Sequence, residues 1–447
     1  MIDPATRHDA IADLWIADGR IRAIAPPHTI PAQPQAIELA LDGCWVTPGL
    51  CDPHVHLRDP GFPEKETIPD GLMAAASGGF VAVAAMANTA PVNDHPAVTS
   101  YMLKRAREAG GAKLVPVSAV TKGLRGLELV DFEAMARAGA RMFSDDGAPV
   151  DDPELLGRAL RKAHLLGFRV ALHEEDRALS QGRGINAGQI AARLGLEGYP
   201  TVAESARLAR DLEIALRWNA PVHIAHISAK ESLDIIRGAR ECGLEVTCEV
   251  SPHHFTLDES AVIQWGTYAK MSPPLRSRED VAKILEGLAD GTIDMIATDH
   301  APHDDMSKEV HHFPHPPGVA PLPQPLLEHQ AQAFERAANG VVGLETALGL
   351  ALELVHRGVI SPMRMVELMA LNPARLLGLE SGTLRPGAPA DVTVIDPERT
   401  WQAQPWRFRS RSRNTPFSGC VFKGKAVLTI VEGQIVYDEL TVGEKGA

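Results

Sequence analysis

A chain of 447 residues, 45% hydrophobic and 23% charged, with 38 Gly and 34 Pro, has the composition of a folded globular protein, enough for one large domain and a smaller one. Lys and Arg number 44 against 57 Asp and Glu, a formal charge of −13 that repels a phosphate backbone and argues against a nucleic-acid partner; the short run Arg407, Arg409, Arg411, Arg413 is too small to reverse that. No apolar run approaches the ~20 residues of a membrane helix, and Met1–Arg20 lacks the basic-then-apolar order of a signal peptide, so no membrane partner and a cytoplasmic location are expected.

Ile11–Ile24 reads as short β runs broken by turn residues. From Trp45 to about Leu379, β-type runs then alternate with helical stretches, the pattern of parallel strands with crossover helices. The predicted strands are Trp45–His56, Val81–Ala87, Leu114–Val120, Arg141–Ser144, Arg169–His173, Val222–His226, Glu245–Val250 and Met295–Thr298. Between them Pro153–Leu166, Ala203–Trp218, Lys230–Cys242 and Ser277–Ala289 carry apolar residues at helical spacing. Eight βα units predict an α/β fold, a (β/α)8 TIM-type barrel over residues 50–379. Beyond it, Asp391–Ile395, Val421–Phe422, Val427–Val431 and Gln434–Tyr437 are again short β runs. Neither flank has a core of its own, so residues 1–49 and 380–447 are expected to pair into one small β-sandwich domain beside the barrel. The compositional exception is Glu309–Gln332, where Pro314, Pro316, Pro317, Pro321, Pro323 and Pro325 exclude regular structure and His311, His312, His315 and His329 are interspersed. This segment is expected to be a mobile lid edge or partner-facing loop and not a third metal site.

The five cysteines form no CxxC pair, so neither a disulfide framework nor a cysteine zinc site is suggested. The 18 histidines say more, because several close apolar runs. His54-Val55-His56 ends the first strand, where alternate side chains point the same way, so both imidazoles face the barrel mouth. Active sites of such barrels are built there. Strand four ends in Ser144-Asp145-Asp146-Gly147, strand five in His173-Glu174-Glu175-Asp176, strand six in His226-Ile227-Ser228 and strand eight in Asp299-His300-Ala301-Pro302-His303. Taken singly, Asp145, Glu175 and Asp176 are better read as caps or loop charges. Imidazole or carboxylate at five strand ends together predicts a two-metal hydrolytic centre of the kind zinc favours. The tandem His253-His254 after strand seven supports that centre or packs, and is assigned no metal.

The stretch Pro48–Gly61, which contains HxHxRDPG, resembles the opening signature of the dihydroorotases within the amidohydrolase superfamily. The likeness continues in family order through Met86–Thr89, Phe143–Gly147, His226–Glu231, Pro273–Arg276, Ala297–His303, Gly340–Thr346 and the Asn414-Thr415-Pro416-Phe417 block. The resemblance implies a zinc-dependent hydrolase that interconverts N-carbamoyl-L-aspartate and L-dihydroorotate in pyrimidine synthesis. It assigns His54, His56 and Asp299 to one zinc and His173 and His226 to a second, with Asp146 bridging. A hydroxide held between the two metals would attack the ring carbonyl, with Asp299 moving the proton. Many relatives bridge with a carboxylated lysine, but this chain has no lysine between Lys122 and Lys162 and so resembles the subgroup that uses aspartate. Arg58, Asn88 and His303 are implied as contacts of the substrate carboxylate, for which a guanidinium fork is well suited. Ser272 stands where many relatives have Asn before Pro-Pro-Leu-Arg, so one contact to the substrate ring is expected to be lost or water-mediated. The connection from His303 to Gly340 is longer than the family pattern. Resemblance further implies a homodimer or larger assembly and allows association with aspartate transcarbamoylase. Two alternatives stand beside this reading. A hydantoinase or allantoinase is opposed by the missing strand-four lysine and the Asn414 block, and a non-catalytic scaffold for the transcarbamoylase should have lost ligands, whereas all six are present.

Overall fold

The computed structural model describes residues 1–31, 35–313, 318 and 320–440. His315, Pro314, Pro316 and Pro317 of the insertion lie outside the described residues. Two four-stranded parallel sheets form the centre, Leu50–Val55, Phe80–Ala85, Lys113–Ser118 and Met142–Phe143 in one, and Ala171–Leu172, Val222–Ile224, Val246–Val250 and Met295–Ile296 in the other. Parallel bridges Phe143–Val170 and Val55–His300 join them, so eight strands in chain order close on themselves, as a TIM-type barrel requires. Leu50–Val55 and Phe80–Ala85 are buried along their whole length, which explains the continuous apolar sequence of Phe80–Ala85 in place of alternation.

The crossover helices have starts legible in the chain. Asp152 accepts from the N–H groups of Glu154 and Leu155 ahead of Pro153–Leu165, whose Pro153 occupies the first turn. Ser277 and Asp280 form a reciprocal capping box at the head of Arg278–Asp290.

Several predicted strands end early at the mouth. Arg169–His173 keeps its ladder only to Leu172 and Val222–His226 only to Ile224, because the residues that follow leave the sheet to face the centre. His226 and Asp299 do so with φ of +28° and +48°, a left-handed conformation that costs on the order of 1 kcal/mol for a residue with a Cβ. The predicted strand Trp45–His56 is two strands in two different sheets. It breaks at Gly49, where a Cβ would lie 2.3 Å from Val81 Cγ1, so only glycine lets the chain pass.

Trp45–Pro48 is the edge of an antiparallel sheet ordered Gln434–Asp438, Val421–Val431, Val392–Gln402, Trp45–Pro48. The hairpin Asp13–Ala17 and Arg20–Ala25 packs on it through Ile21, Leu14 and Ile16 against Val392, Val394, Val427 and Leu428. The N-terminal segment and the C-terminal segment thus share one core. The predicted runs Val421–Phe422 and Val427–Val431 are a single strand, the irregularity falling on the partner strand between Asp396 and Thr400.

The Pro/His-rich insertion differs from its expected extended form. A helix, Glu328–Arg336, starts inside it, and Leu322 and Leu326 are buried with Ile190, Leu194, Met271 and Phe334. A single 3-10 turn, Val310–His312, opens it, and Leu322 and Leu326, set among Pro321, Pro323 and Pro325, anchor its described part by burial, a stronger term than backbone preference.

Candidate metal centre

The ends of strands one, four, five, six and eight converge at the barrel mouth on a cavity of about 570 Å³. His56, Arg58, Asn88, Asp146, His173, His226, Ser272, Asp299 and His303 all line it, and His54 lies fully buried beneath its floor. Every site residue chosen from the sequence is therefore in one place.

Asp146 is the point on which the imidazoles converge. Its carboxylate oxygens lie 3.6 Å from His54 Nε2, 3.5 Å from His56 Nε2, 3.4 Å from His173 Nδ1 and 3.5 Å from His226 Nε2. Asp299 Oδ1 lies 3.1 Å from His56 Nε2 and 3.7 Å from His54 Nε2. His173 Nδ1 and His226 Nε2 are 2.9 Å apart. Two sets of three come within common ligand distance, His54 with Asp146 and His226, and His54 with His56 and Asp299.

This arrangement fits a divalent metal. His54 Nε2 and Asp146 Oδ1 are buried yet have no hydrogen-bond partner, a costly state in a protein interior unless a further group takes them up. Burial disfavours a charged His54, but Asp146 and Glu249 outweigh it and hold the ring well above its ordinary pKa, so the pocket draws positive charge onto its imidazoles. Protons and metal ions compete for the same lone pairs, and a field that attracts one attracts the other. Burial would also raise the Asp146 carboxyl, yet His54, His173 and His226 keep it well below the usual carboxylate range, ionised as a ligand must be.

Three of the four imidazoles are aimed from behind. His54 Nδ1 is 2.7 Å from Glu249 Oε1, whose other oxygen is 3.0 Å from His223 Nε2. His56 Nδ1 is 2.9 Å from Asn88 Oδ1, and His173 Nε2 is 3.2 Å from Glu175 Oε2. Glu249 and Glu175 were not among the predicted site residues. Glu249 has a signal, the one charge in the strand Val246–Val250; Glu175, expected as a loop charge or cap, instead contacts His173 and accepts a hydrogen bond from Ser180 Oγ. Asp145 and Asp176 do serve backbone, Asp145 accepting from Val120 and Thr121 and Asp176 from Ala178 and Leu179. His254 Nε2 donates to Pro273 O at 3.0 Å, and His253 beside it is buried.

On the other side of the cavity Arg58 donates from Nε to Pro302 O at 3.2 Å and lies 3.1 Å through Nη2 from His303 Nε2. No carboxylate among the described residues is in ion-pair reach of it, and burial lowers its pKa to about 10. Burial, together with the nearby charges of Arg58 and Lys308, holds His303 well below its ordinary value, so it is neutral. A guanidinium without a counter-ion at the wall of a cavity is a ready anion contact. In the insertion, Glu309, His311 and His312 also approach one another, but both Glu309 oxygens are bonded by Arg336 at 3.2 Å.

A family profile described as Dihydro-orotase-like matches residues 43–232, and one described as Amidohydrolase family matches residues 354–437. Over 437 residues the chain is 45% identical to a dihydroorotase of Desulforapulum autotrophicum, covering 98% of this chain and 97% of the relative. It is 46% identical over 440 residues to a dihydroorotase of Syntrophus aciditrophicus, covering 98% of each. Among solved structures it is similar to an L-hydantoinase (dihydropyrimidinase) from Arthrobacter aurescens, with a TM-score of 0.83 at 25% identity over 96% of this chain and 92% of that one.

Proposed function

The chain belongs to the dihydroorotase family of the amidohydrolases, a family of metal-dependent cyclic amide hydrolases, and from that premise we propose that its cavity interconverts L-dihydroorotate and N-carbamoyl-L-aspartate in pyrimidine synthesis. The observation that carries this reading is Asp146, whose oxygens lie 3.4 to 3.6 Å from four imidazoles on three other strands. His54, His56 and Asp299 would hold one zinc ion, His173 and His226 a second, with Asp146 shared. Imidazole with carboxylate is a donor set that zinc favours. Two bound ions supply Lewis acidity at the ring carbonyl and lower the pKa of a water at the centre.

The chain's own residues do the rest. Arg58, His303 and Asn88 receive the ring carboxylate and fix the ring edge-on to the ligands, which replaces a free encounter by a held one. Asp299 takes the proton of the attacking water as the new C–O bond forms. It then gives that proton to the ring nitrogen as the C–N bond breaks, so the leaving group departs as a neutral amide nitrogen; ring closure runs the same steps backward. Ser272, shorter than an amide side chain, contacts the ring directly or through water. We take residues 50–379 as the catalytic barrel and residues 1–49 with 380–447 as a separate β domain that braces it.

The test is a ring-opening assay on the purified chain with metal analysis of the same sample. Turnover of dihydroorotate with close to two zinc ions per chain is expected. A fully metallated protein that opens hydantoin but not dihydroorotate would overturn the reading.

A further inference from the structure

Behind the Arg58–His303 wall lies a lysine that has no carboxylate in ion-pair reach among the described residues. Lys308 is fully buried, and burial together with the charge of Lys270 pushes its amine well below the ordinary lysine range, against which stand its hydrogen bonds. Its Nζ donates to Ala338 O at 2.7 Å, Gly340 O at 3.0 Å and Lys270 O at 3.2 Å. Three carbonyl acceptors call for three N–H donors, and only the protonated amine has three. Lys270 is buried alongside, its Nζ donating to Ala337 O at 2.6 Å and Glu335 O at 2.9 Å. Burial lowers Lys270 to about 8 even with the charge of Glu335 opposing it; a second ammonium beside it is costly to bury, and an apolar side chain of similar length would fill the same space at lower cost. The charge therefore calls for a use.

The backbone that Lys308 grips is the wall of the substrate cavity. Gly340 lines it, and its N–H bonds to Lys270 O at 3.0 Å, two residues before Ser272. Gly340 O is shared by Lys308 and by Asn414 Nδ2, each at 3.0 Å. Asn414 in turn accepts the His303 N–H at 3.0 Å. Gly340 has φ of +118°, and a Cβ there would lie 2.5 Å from Ala301 Cβ, so this wall is tightly drawn against strand eight.

We infer that Lys308 is a positioning residue for the anionic end of the substrate: a fixed buried positive charge that backs the Arg58–His303 clamp and pins the Gly340 wall against it. Burial first, and then the charges of Arg58 and Lys308, keep His303 neutral, and a neutral imidazole still has one N–H to donate to a carboxylate. In a chain of formal charge −13, a local cation behind the site offsets the repulsion an anionic substrate would meet. The inference rests on the dihydroorotate reading given above.

The experiment compares Lys308→Gln, which keeps hydrogen-bond donors and removes the charge, with Lys308→Arg, which keeps the charge, and with Lys308→Met, in the metallated full-length protein. For dihydroorotate ring opening, KM should rise at least tenfold in the Gln and Met variants with kcat within threefold of wild type. The Arg variant should return KM to within threefold, and metal content should be the same in all. A Gln variant with wild-type KM would overturn the inference, because donors alone would then suffice. An Arg variant as impaired as Gln, or loss of the fold in both, would assign Lys308 to packing and overturn it as well. Failure of the wild-type protein to open dihydroorotate is a separate outcome that sinks the functional reading itself.

Discussion

The carboxylate of Glu249 lies 2.7 Å from Nδ1 of His54 and so turns the opposite nitrogen of that ring toward Asp146 and Asp299. Burial alone would raise the Glu249 carboxyl, but hydrogen bonds from His223 and His54 outweigh it and hold it at about 2. An ionised acceptor fixes the tautomer with Nδ1–H toward Glu249 and leaves the Nε2 lone pair for a metal. Glu249→Gln, which cannot stay charged, should weaken metal binding ~10- to 100-fold. Competition with a chelator of known affinity measures this. Undiminished affinity would show that His54 is oriented by packing alone.

Among the described residues no carboxylate is in ion-pair reach of Arg58, though Asp299, Asp146 and Glu66 act on it at longer range, so its hydrogen-bonding face is available to a ligand. Arg58→Met removes charge-assisted hydrogen bonds worth roughly 1.5–3 kcal/mol, which should raise KM for dihydroorotate about ten- to hundredfold. It should also lower kcat where the clamp positions the ring. A cyclic imide lacking the carboxylate is the control. An equal loss on that compound would reassign Arg58 to structure.

What could be read from the chain followed from local periodicity. His54 and His56 share a face because strand side chains alternate, and the ends of strands four, five, six and eight are placed where β-type runs give way to segments of helical apolar spacing. The helpers of the centre were harder to see. Glu249 lies far from His54 in sequence, and only the closed barrel brings them together. Glu175 has the same local pattern as Asp176, which does cap a helix, and nothing nearby in sequence separates a carboxylate that meets N–H groups from one that meets an imidazole. Lys308 was illegible for the same reason: its acceptors are backbone carbonyls, which carry no sequence signature. The break at Gly49 and the anchoring of Leu322 likewise depend on what packs against them.

Glu345 gives the fold a pH dependence away from the metal centre. Burial pushes its carboxyl up to about 7, against opposing hydrogen bonds from the N–H groups of Arg409 and Ser410 and from Ser77. A carboxyl raised in the folded state keeps its proton where the unfolded chain has lost it. Stability from this group is therefore present below about 4.5, falls as pH rises and reaches its lower plateau above about 7. The displacement corresponds to at most about 3 kcal/mol. Glu345→Gln has no proton to lose, so the melting temperature of wild type relative to the variant should fall between pH 5 and pH 8. A difference that stays constant across that range would place the ionisation elsewhere.

Asp299 ends strand eight with its carboxylate 3.1 Å from His56 Nε2, on the cavity wall where a substrate amide would sit. Burial would raise its pKa, but the hydrogen bond from His56 and the charge of His54 outweigh it and hold the group well below the usual range, so it is ionised at neutral pH and able to accept a proton. A single carboxylate can serve both halves of the reaction, taking the proton of the attacking water and returning it to the departing nitrogen. Hydrolysis should fall on acidification through an apparent pKa belonging to the coupled centre, and ring closure should show the opposite trend by reversibility. Asp299→Asn keeps the shape and loses the basicity, so kcat should drop at least ~10²-fold in both directions. Because the amide is also a poorer metal ligand, zinc must be counted in the same sample, and the comparison made at equal occupancy. A fully metallated Asp299→Asn protein that turns over at close to the wild-type rate would move the proton transfer to another group, with His303 the next candidate on the cavity wall.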